Sequence, residues 1–170
     1  TLQAPAVATR PNATLYRIDG GPLVLQDALV GRETDGWMIG SAEDPVARAA
    51  YTRYDVSKDE PGLAVVRLTK EGWCPDPASR TTGKVTVRIG PVGIGPDNQP
   101  RIERVTETRR FDLPDCQADG ATLSPPKVPW RMEITVSPTF NPREIDPIGS
   151  SDNRPLGAVI ERAEFRPLFG

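Results

Sequence analysis

Short stretches in which apolar and polar side chains alternate recur along much of the chain. In GKVTVRIG the apolar set is Val85, Val87 and Ile89, and in WRMEITVSPTF it is Trp130, Met132, Ile134 and Val136. A period of two over such lengths is typical of β-strands with one buried face. The stretches AAYTRYDV, GLAVVRLTKEGW, QPRIERVTETRRFDLP and LGAVIERAEF are less regular but rich in β-forming residues.

Helical segments are predicted at two places only. AEDPVARAA can form a turn of helix capped by Asp44, and NPREI places Pro142 at a favoured first helical position. The 19 prolines and 15 glycines leave little room for long helices. About eight strands without a βαβ rhythm predict an all-β fold, an antiparallel two-sheet β-sandwich of the jelly-roll or carbohydrate-binding-module kind. We expect residues 15–170 to form this single domain and residues 1–14 to be a linker or tether.

The amino-acid composition argues against several classes of function for this chain. The formal charge of −2 and the isoelectric point near 5.3 argue against nucleic acid as a partner. The chain has no histidine, which excludes Ser/His and Cys/His catalysis and most zinc sites. No apolar run approaches the roughly 18 residues of a membrane helix, and neither an initiator methionine nor a signal-peptide pattern is present. We therefore expect a domain of a larger or processed protein.

The two cysteines, Cys74 and Cys116, lie in polar, turn-like settings, WCPDP and LPDCQADG. A disulfide between them would indicate an extracytoplasmic location, and two unrelated free thiols are the alternative.

Two segments contain candidate ligand-binding residues. In GRETDGWMIG, Asp35 and Trp37 flank a glycine, and an indole beside a carboxylate suits a sugar, with the ring against C–H groups and the carboxylate accepting from hydroxyls. The other interpretation is a core tryptophan after an Asp-Gly turn. In SSDNRPLGAVIERAEF, Asp152, Asn153 and Arg154 precede a strand, where they form either a structural turn or a ligand-binding loop.

Two further chemistries are alternatives. A structural calcium site would use carboxylates such as Asp35, Asp55 and Asp152, although no EF-hand spacing supports it. A glycoside hydrolase would need two carboxyl groups facing each other across a cleft, and no such pair can be identified.

The order of LYRIDGGPLVLQDALVGRETDGWM, AAYTRYD, GKVTVRIGPV, PWRMEITVSPTFNP and DNRPLGAVIERAEF resembles the C-terminal extracytoplasmic domain of actinobacterial membrane glycosyltransferases. Its most specific part is a D-x-R-x-L-G signature, here Asp152, Arg154, Leu156 and Gly157, and the similarity runs from about Leu15. The resemblance implies a jelly-roll, carbohydrate-binding-like domain similar to that of mycobacterial arabinosyltransferases. It maps the family signature to Asp152 and Arg154 and the family's D-G-W turn to Asp35 and Trp37, where the residues either contact sugar or fold the loop. The cysteine pair lies outside the family pattern.

By this resemblance we expect a non-catalytic module that binds or positions cell-envelope glycan outside the membrane. Its parent would be a transferase that uses a polyprenyl-phosphate sugar, and its partners would be the polysaccharide and the membrane portion of the same protein. The alternative from another class is a structural module that docks on the membrane portion or on a sister subunit. Exposure of Trp37 beside Asp35 would favour glycan, and burial would favour docking.

Overall fold

The computed structural model describes residues 6–10, 13–16, 27–54 and 60–168. Strands β1 (Ala6–Arg10) and β2 (Ala13–Tyr16) pair antiparallel as a separate two-stranded sheet. The segment predicted as a linker thus includes β-structure, and the domain boundary after residue 14 stays a prediction.

The rest of the described chain contains ten further strands, one short α-helix and a 3-10 helix (Pro77–Ser79). The strands and the α-helix are β3 (Ala28–Val30), β4 (Trp37–Ile39), β5 (Ala47–Arg53), β6 (Gly62–Thr69), β7 (Thr82–Ile94), β8 (Pro100–Ile102), β9 (Glu107–Pro114), β10 (Ala118–Leu123), β11 (Trp130–Ser137), α1 (Pro142–Ile145) and β12 (Leu156–Pro167).

Among the described residues, these strands form two antiparallel sheets that pack face to face. One sheet has the order β10-β6-β12-β4, and the other has the order β3-β5-β11-β7-β8 with β9 also paired to β7. The chain passes from one sheet to the other at most connections, so most strands that are neighbours in a sheet are not consecutive in the sequence. The prediction of an all-β two-sheet sandwich is confirmed.

The core lies between the sheets and is built by the alternating stretches. Strand β11 is hydrogen-bonded to β5 on one side and to β7 on the other. Its inward side chains meet those of β7, and both sets are almost completely buried: Trp130, Met132, Ile134, Val136, Val85, Val87 and Ile89. Trp130 enters the core at the first position of its strand, as a period of two predicts.

One of the two helix predictions is right and the other is wrong. NPREI forms α1, with Pro142 in the first turn and the Asn141 side chain accepting from the backbone N–H of Arg143. AEDPVARAA is not helical, because its second half is β5, whose alanines pair with β11 and are buried. Tertiary packing here overrides the helix propensity of alanine.

Candidate functional site

The first part of the candidate site is a tight turn before β4, formed by residues 33–37 and called here the D-G-W turn. The Gly36 N–H donates to the Glu33 carbonyl at 2.9 Å, and the Glu33 N–H donates to the Trp37 carbonyl at 2.9 Å. Gly36 has a φ of +89°, a conformation that glycine adopts without a steric cost. Asp35 Oδ1 accepts from the Trp37 N–H at 3.3 Å, so the carboxylate lies against the start of β4.

The second part is the segment 141–155 between β11 and β12, called here the closing loop. Phe140 and Leu156 exchange two backbone hydrogen bonds of 2.8 Å at its base. The Asn141 amide nitrogen donates to Asn153 Oδ1 at 2.9 Å and to the Asn153 carbonyl at 3.2 Å. The Arg143 N–H donates to the Asp152 carbonyl at 3.0 Å. These contacts fix the backbone of Asp152 and Asn153.

Arg154 joins the two parts. Its Nε donates to Asp152 Oδ1 at 3.0 Å, and its Nη2 donates to Asp152 Oδ2 at 2.7 Å. The same Nη2 donates to Asp35 Oδ2 at 2.8 Å. Asp152 Oδ1 also accepts from the Arg154 N–H at 2.9 Å, which is the backbone turn that aspartate favours. We call Asp35, Asp152 and Arg154 the Asp-Arg-Asp cluster.

The cluster combines two negative charges with one positive charge and remains partly open to solvent. The side chains of Asp35 and Arg154 are 45% and 39% exposed. Hydrogen bonds from Arg154 lower the pKa of Asp35 and the pKa of Asp152 below their ordinary value. The same hydrogen bonds raise the pKa of Arg154, and the bond with Asp152 has the larger effect. Both carboxylates are therefore ionised at neutral pH.

The cluster retains hydrogen-bonding capacity. Arg154 Nη1 donates to no group in the part of the chain that the structure describes. Each carboxylate can accept about four hydrogen bonds in total, more than the contacts above occupy at Asp35. Donors and acceptors thus lie side by side at the surface, which suits a ligand with neighbouring hydroxyl groups.

Trp37 is half-buried, between the two outcomes expected from the sequence. Its ring packs edge-on against Phe140, with centroids 5.8 Å apart and planes at 75°. Phe140 in turn stacks on Trp73, which is also half-buried, at 5.1 Å and 22°. Trp37 is therefore the first of three aromatic rings in a row, and part of its surface stays accessible to solvent.

A buried ion pair supports the aromatic row. Lys70 Nζ donates to Asp115 Oδ1 at 2.8 Å, and both side chains are almost fully buried. The ammonium lies 4.6 Å from the centre of the Phe140 ring, and Asp115 Oδ2 accepts from the Thr81 N–H at 2.7 Å. The pair is thus enclosed by an aromatic face and a backbone donor, which compensates for the loss of water around the two charges.

Cys74 and Cys116 form a disulfide next to this ion pair. Their Cα atoms are 4.8 Å apart, and the Cys116 N–H donates to the carbonyls of Lys70 and Trp73 at 3.2 and 3.1 Å. The disulfide thereby ties the segment that carries Trp73 to the turn that carries Asp115.

The calcium hypothesis gains no support from the described residues. They contain no group of three or more histidine, cysteine, aspartate or glutamate side chains placed to hold a metal ion. Asp35 and Asp152 do come together, but the Arg154 guanidinium lies between them. Asp55, the third candidate, lies outside the described residues.

Sequence reasoning proposed Asp35, Trp37, Asp152, Asn153 and Arg154 as candidates but missed the groups beneath them. Phe140 and Asn141 position the closing loop, and Lys70 and Asp115 support the aromatic row. The available signal for Asn141 was its position before Pro142, typical of a helix N-cap. The pairing of Lys70 with Asp115 had no local signal, because 45 residues separate them.

Fold and site together define an antiparallel β-sandwich with a charged and aromatic surface beside its closing loop. No family model, curated protein or solved structure matches the chain. Within the described residues, no helix is long and apolar enough to cross a membrane.

Proposed function

We propose that this chain is a non-catalytic extracytoplasmic domain that binds or positions cell-envelope glycan for a membrane glycosyltransferase. The observation that carries the proposal is the bridge from Arg154 to Asp35 and Asp152, which unites the D-G-W turn and the closing loop beside Trp37. The resemblance of DNRPLGAVIERAEF to arabinosyltransferase tail domains supports the same function. It also implies the extracytoplasmic location, a glycan partner and a glycosyltransferase as the parent enzyme.

Recognition would use complementary contacts and break no bond. The accessible part of the Trp37 ring covers the C–H face of a sugar, while Asp35 accepts from hydroxyl groups and Arg154 Nη1 donates to hydroxyl oxygens. Each sugar hydroxyl exchanges water for a protein partner of similar strength, so the net gain per contact is small. An affinity on the order of millimolar for a short oligosaccharide follows.

The electrostatics of the cluster argue against hydrolysis at this place. A glycosidase needs one carboxylic acid whose pKa is raised so that it can protonate the leaving group. Here Arg154 lowers the pKa of both carboxyl groups. The catalytic group of the proposed parent enzyme would then lie in another part of that protein.

A docking module is the second candidate. Ile148 lies in the same closing loop as Arg154 and is 99% exposed, and a partner that packs on this loop would cover it. This candidate predicts that Ile148→Ser weakens association with the membrane portion while sugar binding is unchanged.

Oligosaccharide binding by paired variants tests the proposal. Arabinofuranosyl, galactofuranosyl and mannosyl oligosaccharides would be titrated against the wild type, Arg154→Gln and Arg67→Gln. Arg67 is a matched control, because it is an exposed arginine paired with Glu161 at 2.6 Å on another part of the sandwich. Loss of binding in Arg154→Gln alone supports the proposal, whereas equal binding by all three proteins, or by none, contradicts it.

A further inference from the structure

The outer face of the larger sheet contains a groove that is independent of the closing loop. It has a volume of about 320 Å³, lies on β3, β5, β7 and β11, and has a mostly apolar lining that includes Val30 and Ala50. Its polar side chains are Arg48, Arg88, Arg131, Glu133 and Thr135. We call it the arginine groove. Its polar residues alternate with the core residues of the same strands, so their side chains point away from the core.

One carboxylate in the groove is shared by two arginines. Glu133 Oε2 accepts from Arg88 Nη2 at 3.0 Å, and Glu133 Oε1 accepts from Arg131 Nε at 3.4 Å. Arg131 Nη1 donates to the Thr52 hydroxyl at 2.9 Å. The third arginine, Arg48, pairs with Asp44 at 2.6 Å. Three guanidinium groups therefore face two carboxylates, and the groove has a net positive charge.

Several strong donors remain after these contacts. Arg131 Nη2 and the Nε and Nη1 of Arg88 donate to no group among the residues that the structure describes. Arg131 as a whole is only 9% exposed, but solvent reaches its Nη2. An oxyanion that replaces the water there makes a charge-assisted hydrogen bond. A guanidinium fork matches the two oxygens of a carboxylate or phosphate in both spacing and charge.

We propose that the arginine groove binds an oxyanion, a carboxylate or phosphate group, alongside Glu133. Its volume is at the lower end of the range for small-molecule sites, so it accommodates one charged group or one acidic sugar ring rather than a long chain. The inference stands apart from the proposed glycan site, because none of its residues belongs to the Asp-Arg-Asp cluster.

Inorganic phosphate is the first probe, with the arginine Nε–Hε signals followed by NMR. We expect saturable shifts of the Arg88 and Arg131 signals in the wild type. Arg88→Gln should weaken binding about tenfold, because a charge-assisted contact is lost. Glu133→Gln should strengthen it severalfold, because the internal competitor for the donors loses its charge. Arg67→Gln, in the other sheet, should change nothing.

Two further titrations identify the source of the anion. Binding of glucuronate but not glucose supports a carboxylated sugar, and binding of phosphatidylglycerol vesicles but not phosphatidylcholine vesicles supports a lipid phosphate. The proposal is overturned if phosphate gives no saturable shift, or if Glu133→Gln binds more weakly than the wild type. Arg88 is 47% exposed, so Arg88→Gln provides a test even if the Glu133 variant does not fold.

Discussion

Arg154 donates a hydrogen bond of 2.8 Å to Asp35, a residue 119 positions earlier in the chain. This contact closes the gap between the turn that precedes β4 and the loop that precedes β12, two strands that are neighbours in one sheet. Trp37 follows Asp35 by two residues, and its ring packs against Phe140, the residue that precedes the closing loop. The proposed glycan surface therefore combines residues of both segments, which this ion pair joins.

Acid should weaken the fold through the Asp-Arg-Asp cluster. The pKa values of Asp35 and Asp152 are lowered in the folded state, so their stabilising effect is fully present above the unfolded value near 3.8 and is lost as the pH falls through the folded values. Urea unfolding at a series of pH values gives the free energy of unfolding as a function of pH. In this acidic range, that free energy should fall less steeply with decreasing pH for Asp35→Asn/Asp152→Asn than for the wild type. An identical pH dependence would show that the ion pairs add nothing to stability.

Lys70→Met should destabilise the domain strongly. The substitution leaves the Asp115 carboxylate buried without its cation, which costs about 3–5 kcal/mol. Arg67→Met is the matched control, because it breaks an exposed pair with Glu161 and should cost about 1 kcal/mol or less. Urea unfolding of both variants measures the difference, and equal losses would contradict the account of the Lys70–Asp115 pair.

Reduction of the Cys74–Cys116 disulfide should also reduce stability. The bond spans 42 residues, and the chain-entropy model gives about 4 kcal/mol for a loop of this size. Intact mass under non-reducing conditions should show two fewer hydrogens than the reduced chain. Urea unfolding with and without reductant gives the energetic effect, and Cys74→Ser/Cys116→Ser should be insensitive to reductant.

Gly36→Ala should strain the D-G-W turn. A residue with a side chain at a φ of +89° costs about 1–2 kcal/mol, and the added Cβ would lie 3.1 Å from Val159 Cγ1. Gly72→Ala is the control, because nothing lies within 4 Å of a Cβ at that position. Thermal unfolding of the two variants should show a lower midpoint for Gly36→Ala only; a wild-type midpoint for Gly36→Ala would argue against a strained turn.

The architecture could be predicted where local pattern decides it. Alternation in β7 and β11 identified the strands and their core faces, because only one face of each is buried by the opposite sheet. Strand β5 has buried residues on both faces and therefore shows no alternation. Its second half was predicted as a strand from its β-forming residues, whereas its first half was assigned wrongly to a helix. The order of the strands could not be predicted, because most neighbours in the sheets are distant in sequence.

For the candidate site, too, the sequence predicted the local contacts but not the long-range ones. Asp152 and Arg154 are two residues apart, so their pairing is a local turn that the sequence suggests. The link to Asp35 and the packing of Phe140 between Trp37 and Trp73 arise only when the sheets assemble. Polar residues in loops thus identified the surface, while long-range contacts determine its geometry.

The most direct test of the proposed glycan site is an NMR titration of the three tryptophan indole N–H signals with arabinofuranosyl, galactofuranosyl and mannosyl oligosaccharides. The proposal predicts a saturable shift of the Trp37 signal with at least one of these sugars and no shift of buried Trp130. The Trp37 shift should disappear in Asp152→Ala, which removes a partner of Arg154. Absence of any saturable shift at millimolar sugar would contradict glycan binding and leave the docking role as the better account.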